Sequence, residues 1–165
     1  KLYDNEFISK VAEETGLSEE YIENNEQKRD ALASLNNGYY LGLNNSDELF
    51  IKESELIKEV ADKESCVIVG RCADFILAGR ENVINVFVYS DMENKINRAT
   101  TYYGMDKSKA EKEIKRIDKL RANHYKYYTD QEWGMASNYD LCLNSGLIGI
   151  EGCVKAIQQV LELTE

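Results

Sequence analysis

The sequence has no proline, a single histidine and no long apolar run among its 165 residues. Nothing approaches the roughly 20 apolar residues that a membrane helix needs. The opening "KLYDNEFISK" has no secretory pattern. A cytoplasmic protein with no membrane partner is therefore expected. Four cysteines, at 66, 72, 142 and 153, form no CxxC. Their spacing does not suggest a disulfide framework, and with one histidine there are no paired zinc ligands. Reduced thiols are expected, with Cys66 and Cys142 packing inside apolar runs. Low-complexity tracts, repeats and linkers are absent too. The 43% hydrophobic content then reads as one domain with a real core. Positive charge is also short: the formal net charge is −10. Such a chain is a poor general binder of duplex nucleic acid, so no nucleic-acid partner is expected.

The charge is unevenly spread. Residues 107–126, "KSKAEKEIKRIDKLRANHYK", hold eight Lys or Arg against three Asp or Glu. A basic island in an acidic chain suits a local anionic ligand, or it is a solvated helix face.

Apolar spacing predicts helices over 3–15, 18–34 and 47–63, the last with Leu49, Phe50, Ile57 and Val60 on one side. Ser18 is a candidate cap, and "NNGYYLGLNNSD", 36–47, is the most loop-like stretch. The pattern then changes. "CVIVG", "NVINVFVYS" and, more weakly, "YDLCLNS" read as strands. Helices are expected at 72–79, 91–103, 106–127 and 149–163. Continuous apolar strands predict a parallel sheet covered on both faces, in an α/β fold. Ligands of such sheets lie beyond the carboxyl ends of the strands, where Arg71, Asp91 and Asn144-Ser145 fall.

Within "ESCVIVGRCADFILAGR", 64–80, Gly70 permits a sharp turn and close approach of a ligand to the backbone. Arg71 follows at once, and Asp74 lies a helical turn further on. A guanidinium suits phosphate; a carboxylate suits an amino group or a ribose hydroxyl. An ordinary Arg–Asp pair at a helix start explains the same residues.

Three segments, "CVIVGRCADFIL", "VFVYSDMENKINRATTYYGMDKSKAEKEIKRIDKLRANHYKYYTDQEWG" and "NYDLCLNSGLIGIEGCVKAI", resemble the cytidylate kinase-like family, a branch of the P-loop nucleoside monophosphate kinases. The resemblance covers roughly residues 1–160. It implies a three-layer α/β fold, a parallel sheet flanked by helices, with a helical lid at 104–136 inside a single domain spanning 1–165. It implies phosphoryl transfer from ATP, with Mg2+, to a small-molecule nucleotide, CMP or dCMP. Gly70, Arg71, Asp74 and Asp4 are implied on the acceptor side, with Arg71 on the monophosphate. The family has a carboxylate directly after that arginine, whereas this chain has Cys72 there and Asp74 later.

Arg116, Asp118 and Arg121 resemble the lid residues that grip the phosphates and the acceptor sugar. Positioning and charge neutralisation carry most of phosphoryl transfer, and a lid excludes water. Asp118 and Arg121 can pair across one turn, and Arg121 and Tyr125 can stack. The aromatics of "HYKYYTDQEWG" are expected to pack a loop rather than stack on a base, and His124 is expected to be structural or exposed. The family's Gly-rich donor loop has no counterpart: neither GxxxxGKS nor GxxxxGKT occurs. "LYD", residues 2–4, resembles the strand after that loop. A strand, a P-loop and a helix are thus expected ahead of Lys1, the strand lying between those matching 66–70 and 83–89, or else a partner chain fills that slot by strand addition. The 165 residues alone are then expected to lack kinase activity. A non-catalytic nucleotide-binding module, or a kinase of another small phosphorylated acceptor, remains an open alternative.

Overall fold

A computed structural model describes residues 1–4, 10 and 45–164. Four short strands lie among them: β1 (Leu2–Tyr3), β2 (Val67–Ile68), β3 (Val86–Tyr89) and β4 (Leu141–Asn144). The helices are α1 (Asn45–Lys63), α2 (Ala73–Ile76), α3 (Met92–Tyr103), α4 (Lys107–Thr129) and α5 (Ser145–Thr164), with a 3₁₀ turn at Ala136–Asn138. Both strand pairings are parallel. β1 sets Leu2 opposite Val67 and Tyr3 opposite Ile68; β3 and β4 run in register from Val86–Leu141 to Tyr89–Asn144. The fold is therefore α/β with small parallel sheets. The chain divides into two compact units, residues 1–81 with 123–130, and 82–122 with 131–165.

The first unit is built on α1. Leu49, Leu56, Ile57 and Val60 recur at helical spacing and are all buried, which is why this segment folds as an amphipathic helix. Tyr3 is buried as well, and its hydroxyl donates to Glu64 at 2.5 Å. That bond and burial raise the Tyr3 pKa above its ordinary value, and the same bond lowers that of Glu64. The Val67 and Val69 backbone N–H groups donate to the carbonyls of Lys1 and Tyr3 at 2.7 and 3.0 Å. β1 is thereby fastened alongside β2.

In the second unit α3 has a clear start and stop. Asp91 accepts from the Asn94 backbone N–H at 2.8 Å, and Gly104 takes the left-handed φ of 63° that closes the helix. Phe87 of β3 packs edge-on to Trp133 and against Tyr139. A Cβ on Gly134 would lie 2.9 Å from the Phe87 ring, so only glycine fits beneath it. α5 breaks at Gly149, whose φ of 71° and ψ of 173° are not helical.

Several expectations need correction. Tyr3 is in a strand, so the helix expected from residue 3 does not begin there; of 4–15 only Asp4 and Lys10 are described, Lys10 as helical. The helix expected at 18–34, its Ser18 cap and most of the 36–47 loop lie outside the described residues. The helix expected at 72–79 shrinks to Ala73–Ile76, because Leu77 leaves helical geometry and Gly79 turns to φ 82°. The strands are not covered on both faces. Val67, Val69, Val88 and Tyr89 are exposed, since each described sheet has only two strands. Cys142, expected to pack, is exposed on β4, whereas Cys72 and Cys153 are buried; all four thiols are free.

Candidate functional site

The turn after β2 is the most unusual backbone among the described residues. Gly70, Arg71 and Cys72 take φ values of 75°, 57° and 55° in succession. Nothing lies within 4 Å of a Cβ built on Gly70, so its φ rather than crowding calls for glycine. Left-handed geometry costs about 1–2 kcal/mol at each non-glycine residue. It persists only where the surroundings over-determine it, and such strain clusters at functional sites. Here the surroundings are visible. Cys72 is buried, the Ala73 N–H donates to the Gly70 carbonyl at 3.1 Å, and Arg71 pairs with Glu53 of α1, Nη1 to Oε1, at 3.4 Å.

Glu53 is 2% exposed and Arg71 16%. Breaking such a buried pair by removing one partner costs about 3–5 kcal/mol, because a charge is left without its counter-charge. Asp74, in the first turn of α2, accepts from the Tyr125 hydroxyl at 2.6 Å. Tyr125, on α4, is 4% exposed. Arg71 and Asp74 are therefore each held by a side chain from another helix of the same unit. Asp4, just past β1, is exposed.

The second group of expected residues lies on α4, in the other unit. Asp118 is shared by two cations: Lys95 of α3 at 2.5 Å and Arg121 at 3.8 Å. Lys95 and Asp118 are partly buried, while Arg121 is exposed. Arg116 sits about half a helical turn away from Asp118. It gives Nε and Nη2 to Glu113 at 3.0 and 2.6 Å. That fork raises the pKa of Arg116 and lowers that of Glu113. Asp118 and Arg121 thus share a cluster, and Arg116 belongs to a different face.

Of the α4 aromatics Tyr125 and Tyr128 pack, as the sequence suggests, whereas Tyr127 is exposed. Tyr128 stacks on Phe50 with centroids 3.7 Å apart, and His124 meets the Tyr128 ring edge-on at 5.0 Å. Two residues of these clusters escape the sequence reading. Glu53 carries a signal that could have found it, an acid inside the apolar stripe of Leu49, Leu56 and Val60. Lys95 carries none, since nothing in its neighbourhood separates it from other surface lysines.

No group of three or more His, Cys, Asp or Glu side chains that could hold a metal ion occurs among the described residues. The donor set does not fit a metal centre on its own, and no residue is assigned to magnesium. No helix among the described residues is long and apolar enough to cross a membrane.

A family model described as the cytidylate kinase-like family matches residues 1–147. Among curated proteins none matches. The crystal structure of an uncharacterized protein from Eubacterium ventriosum is similar, with a TM-score of 0.68 and 26% sequence identity, over 96% of this chain and 90% of that one.

Proposed function

We propose that the full-length protein, whose chain here belongs to the cytidylate kinase-like family, acts as an ATP-dependent kinase of a nucleoside monophosphate, with CMP or dCMP as acceptor. The observation that carries the reading is the left-handed Gly70–Cys72 turn past a parallel strand, with a side-chain-anchored arginine on it. Strand ends of this kind are where α/β folds bind ligands, and a fixed guanidinium suits a phosphate monoester. In the reaction an acceptor phosphate oxygen bonds to the γ-phosphorus of ATP. The bond from that phosphorus to the β–γ bridging oxygen breaks, leaving ADP and a nucleoside diphosphate.

Arg71 neutralises and orients the acceptor phosphate, and Asp74, fixed by Tyr125, holds a donor group of the nucleoside. Asp4, exposed past β1, is assigned to the acceptor side with Gly70. The finer architecture inferred with this activity is a three-layer fold whose lid spans 104–136. Arg121, set by Asp118 and Lys95, is its closing cation. Arg116 is a second, and it must leave Glu113 to serve. An exposed pair of that kind is worth only about 0–1 kcal/mol, so leaving it is easy. Magnesium would shield the donor phosphates, as in phosphoryl transfer generally.

The test is transfer from Mg-ATP to CMP, dCMP, UMP, AMP and GMP by the full-length protein. Turnover of CMP or dCMP in preference to the others is expected. CMP binding without turnover of any acceptor points to a non-catalytic nucleotide-binding module. Turnover confined to a different phosphorylated acceptor refutes the cytidylate assignment.

A further inference from the structure

We propose that Glu53 is a positioning residue for Arg71. It fixes the guanidinium in place so that a phosphate monoester meets it already oriented. The proposal rests on the reading of Arg71 as the acceptor contact.

Three observations carry it. Glu53 sits in the apolar stripe of α1, between Leu49 and Leu56, at 2% exposure. A carboxylate withdrawn from water there is unfavourable unless it is paired, and packing alone would favour an apolar residue. Its ionic partner is Arg71, which comes from a different element and is itself largely buried. Arg71 also has a φ of 57°, between two further left-handed residues. The α1 carboxylate is thus a side-chain contact from outside the turn that holds the strained arginine.

The chemistry separates two roles that Glu53 could have. Its negative charge opposes a phosphate dianion, so it does not attract the ligand. A flexible arginine loses side-chain freedom on binding, and fixing it beforehand removes that cost from the binding step. Positioning and charge therefore predict different patterns. E53Q keeps a side chain of the same shape in the same place and removes the opposing charge. E53A removes the anchor. If only charge mattered, both variants would bind an anion more tightly.

The experiment measures CMP binding by calorimetry for the full-length wild type, E53Q and E53A. Spectra of the ¹⁵N-labelled Arg71 Nε–H are recorded for each, at a temperature where melting curves show the protein folded. The expected result is a Kd about five- to tenfold weaker in E53A and within about threefold of wild type in E53Q. The Arg71 Nε–H signal should be present in wild type and E53Q and lost to exchange in E53A. E53A binding as tightly as wild type, or E53Q binding as weakly as E53A, overturns the proposal. Should E53A fail to fold, E53Q decides: binding within threefold with a retained signal supports positioning, and tenfold weakening overturns it. Wild type that binds no CMP refutes the acceptor reading alone. The spectra then decide the role of Glu53: loss of the signal in E53A supports it, and a surviving signal overturns it.

Discussion

Tyr125→Phe is a one-atom perturbation with a calculable effect. The Tyr125 hydroxyl donates to Asp74 at 2.6 Å, and the ring is 4% exposed. Phenylalanine fills the same space, so no cavity of consequence forms. The backbone contact at this position, Thr129 Oγ to the Tyr125 carbonyl at 2.6 Å, is untouched. What is lost is one hydrogen bond to a carboxylate, worth about 1.5–3 kcal/mol. For a chain of this length that corresponds to a fall in Tm of about 3–12 °C. The assay is thermal and urea unfolding by far-ultraviolet circular dichroism, for wild type, Y125F, D74A and the double variant. Because the two side chains form one unit, their effects should be non-additive, with a coupling of about 1–2 kcal/mol. A Y125F protein within about 0.5 kcal/mol of wild type, or an additive cycle, would refute the claim that Tyr125 anchors Asp74.

Gly146→Ala should lose about 1–3 kcal/mol in urea unfolding. Its Cβ would lie 2.6 Å from Ser90 Oγ, 2.8 Å from Asn94 Nδ2 and 2.9 Å from Asp91 Oδ2, and unchanged stability would contradict that close approach. The Asp91 carboxyl is held below its ordinary 3.8 by the Asn94 N–H and then the Asn94 side chain. A depressed folded-state pKa gives stability above the unfolded value that is lost as pH falls through the folded one. D91N keeps the cap without the charge, so the wild-type advantage in Tm at pH 7 should close below about pH 4; a gap constant down to pH 2 would refute it. Arg121→Ala should lower kcat by about tenfold or more with little change in Tm. If Arg116→Ala does the same, both faces of α4 serve the reaction, whereas undiminished kcat in R116A confines the site to the Asp118 face.

Much of this organisation is legible in the residues. The buried face of α1 follows from the spacing of Leu49, Ile57 and Val60, and the bounds of α3 follow from Asp91 and Gly104. "LYD" yields a strand where the family resemblance places one. Arg71 stands out because a glycine precedes it at the end of an apolar run. What escapes the sequence is pairing between elements. Asp118 has Arg121 one turn away, yet its shorter contact is Lys95, on another helix. Glu53 stands inside the apolar stripe of α1, but its pairing with Arg71, from another element, is not written there. Strand exposure escapes as well, because an apolar run such as "CVIVG" records what a strand can bury and not how many neighbours it has.

The central claim is that Arg71 receives the phosphate of the acceptor. The most direct measurement compares wild type and Arg71→Ala for the Kd of CMP and the KM of CMP and of ATP. Loss of a charge-assisted contact of about 1.5–3 kcal/mol predicts acceptor constants weaker by about ten- to a hundredfold, with the KM for ATP nearly unchanged. An R71A protein that is folded and binds CMP as tightly as wild type would contradict the account.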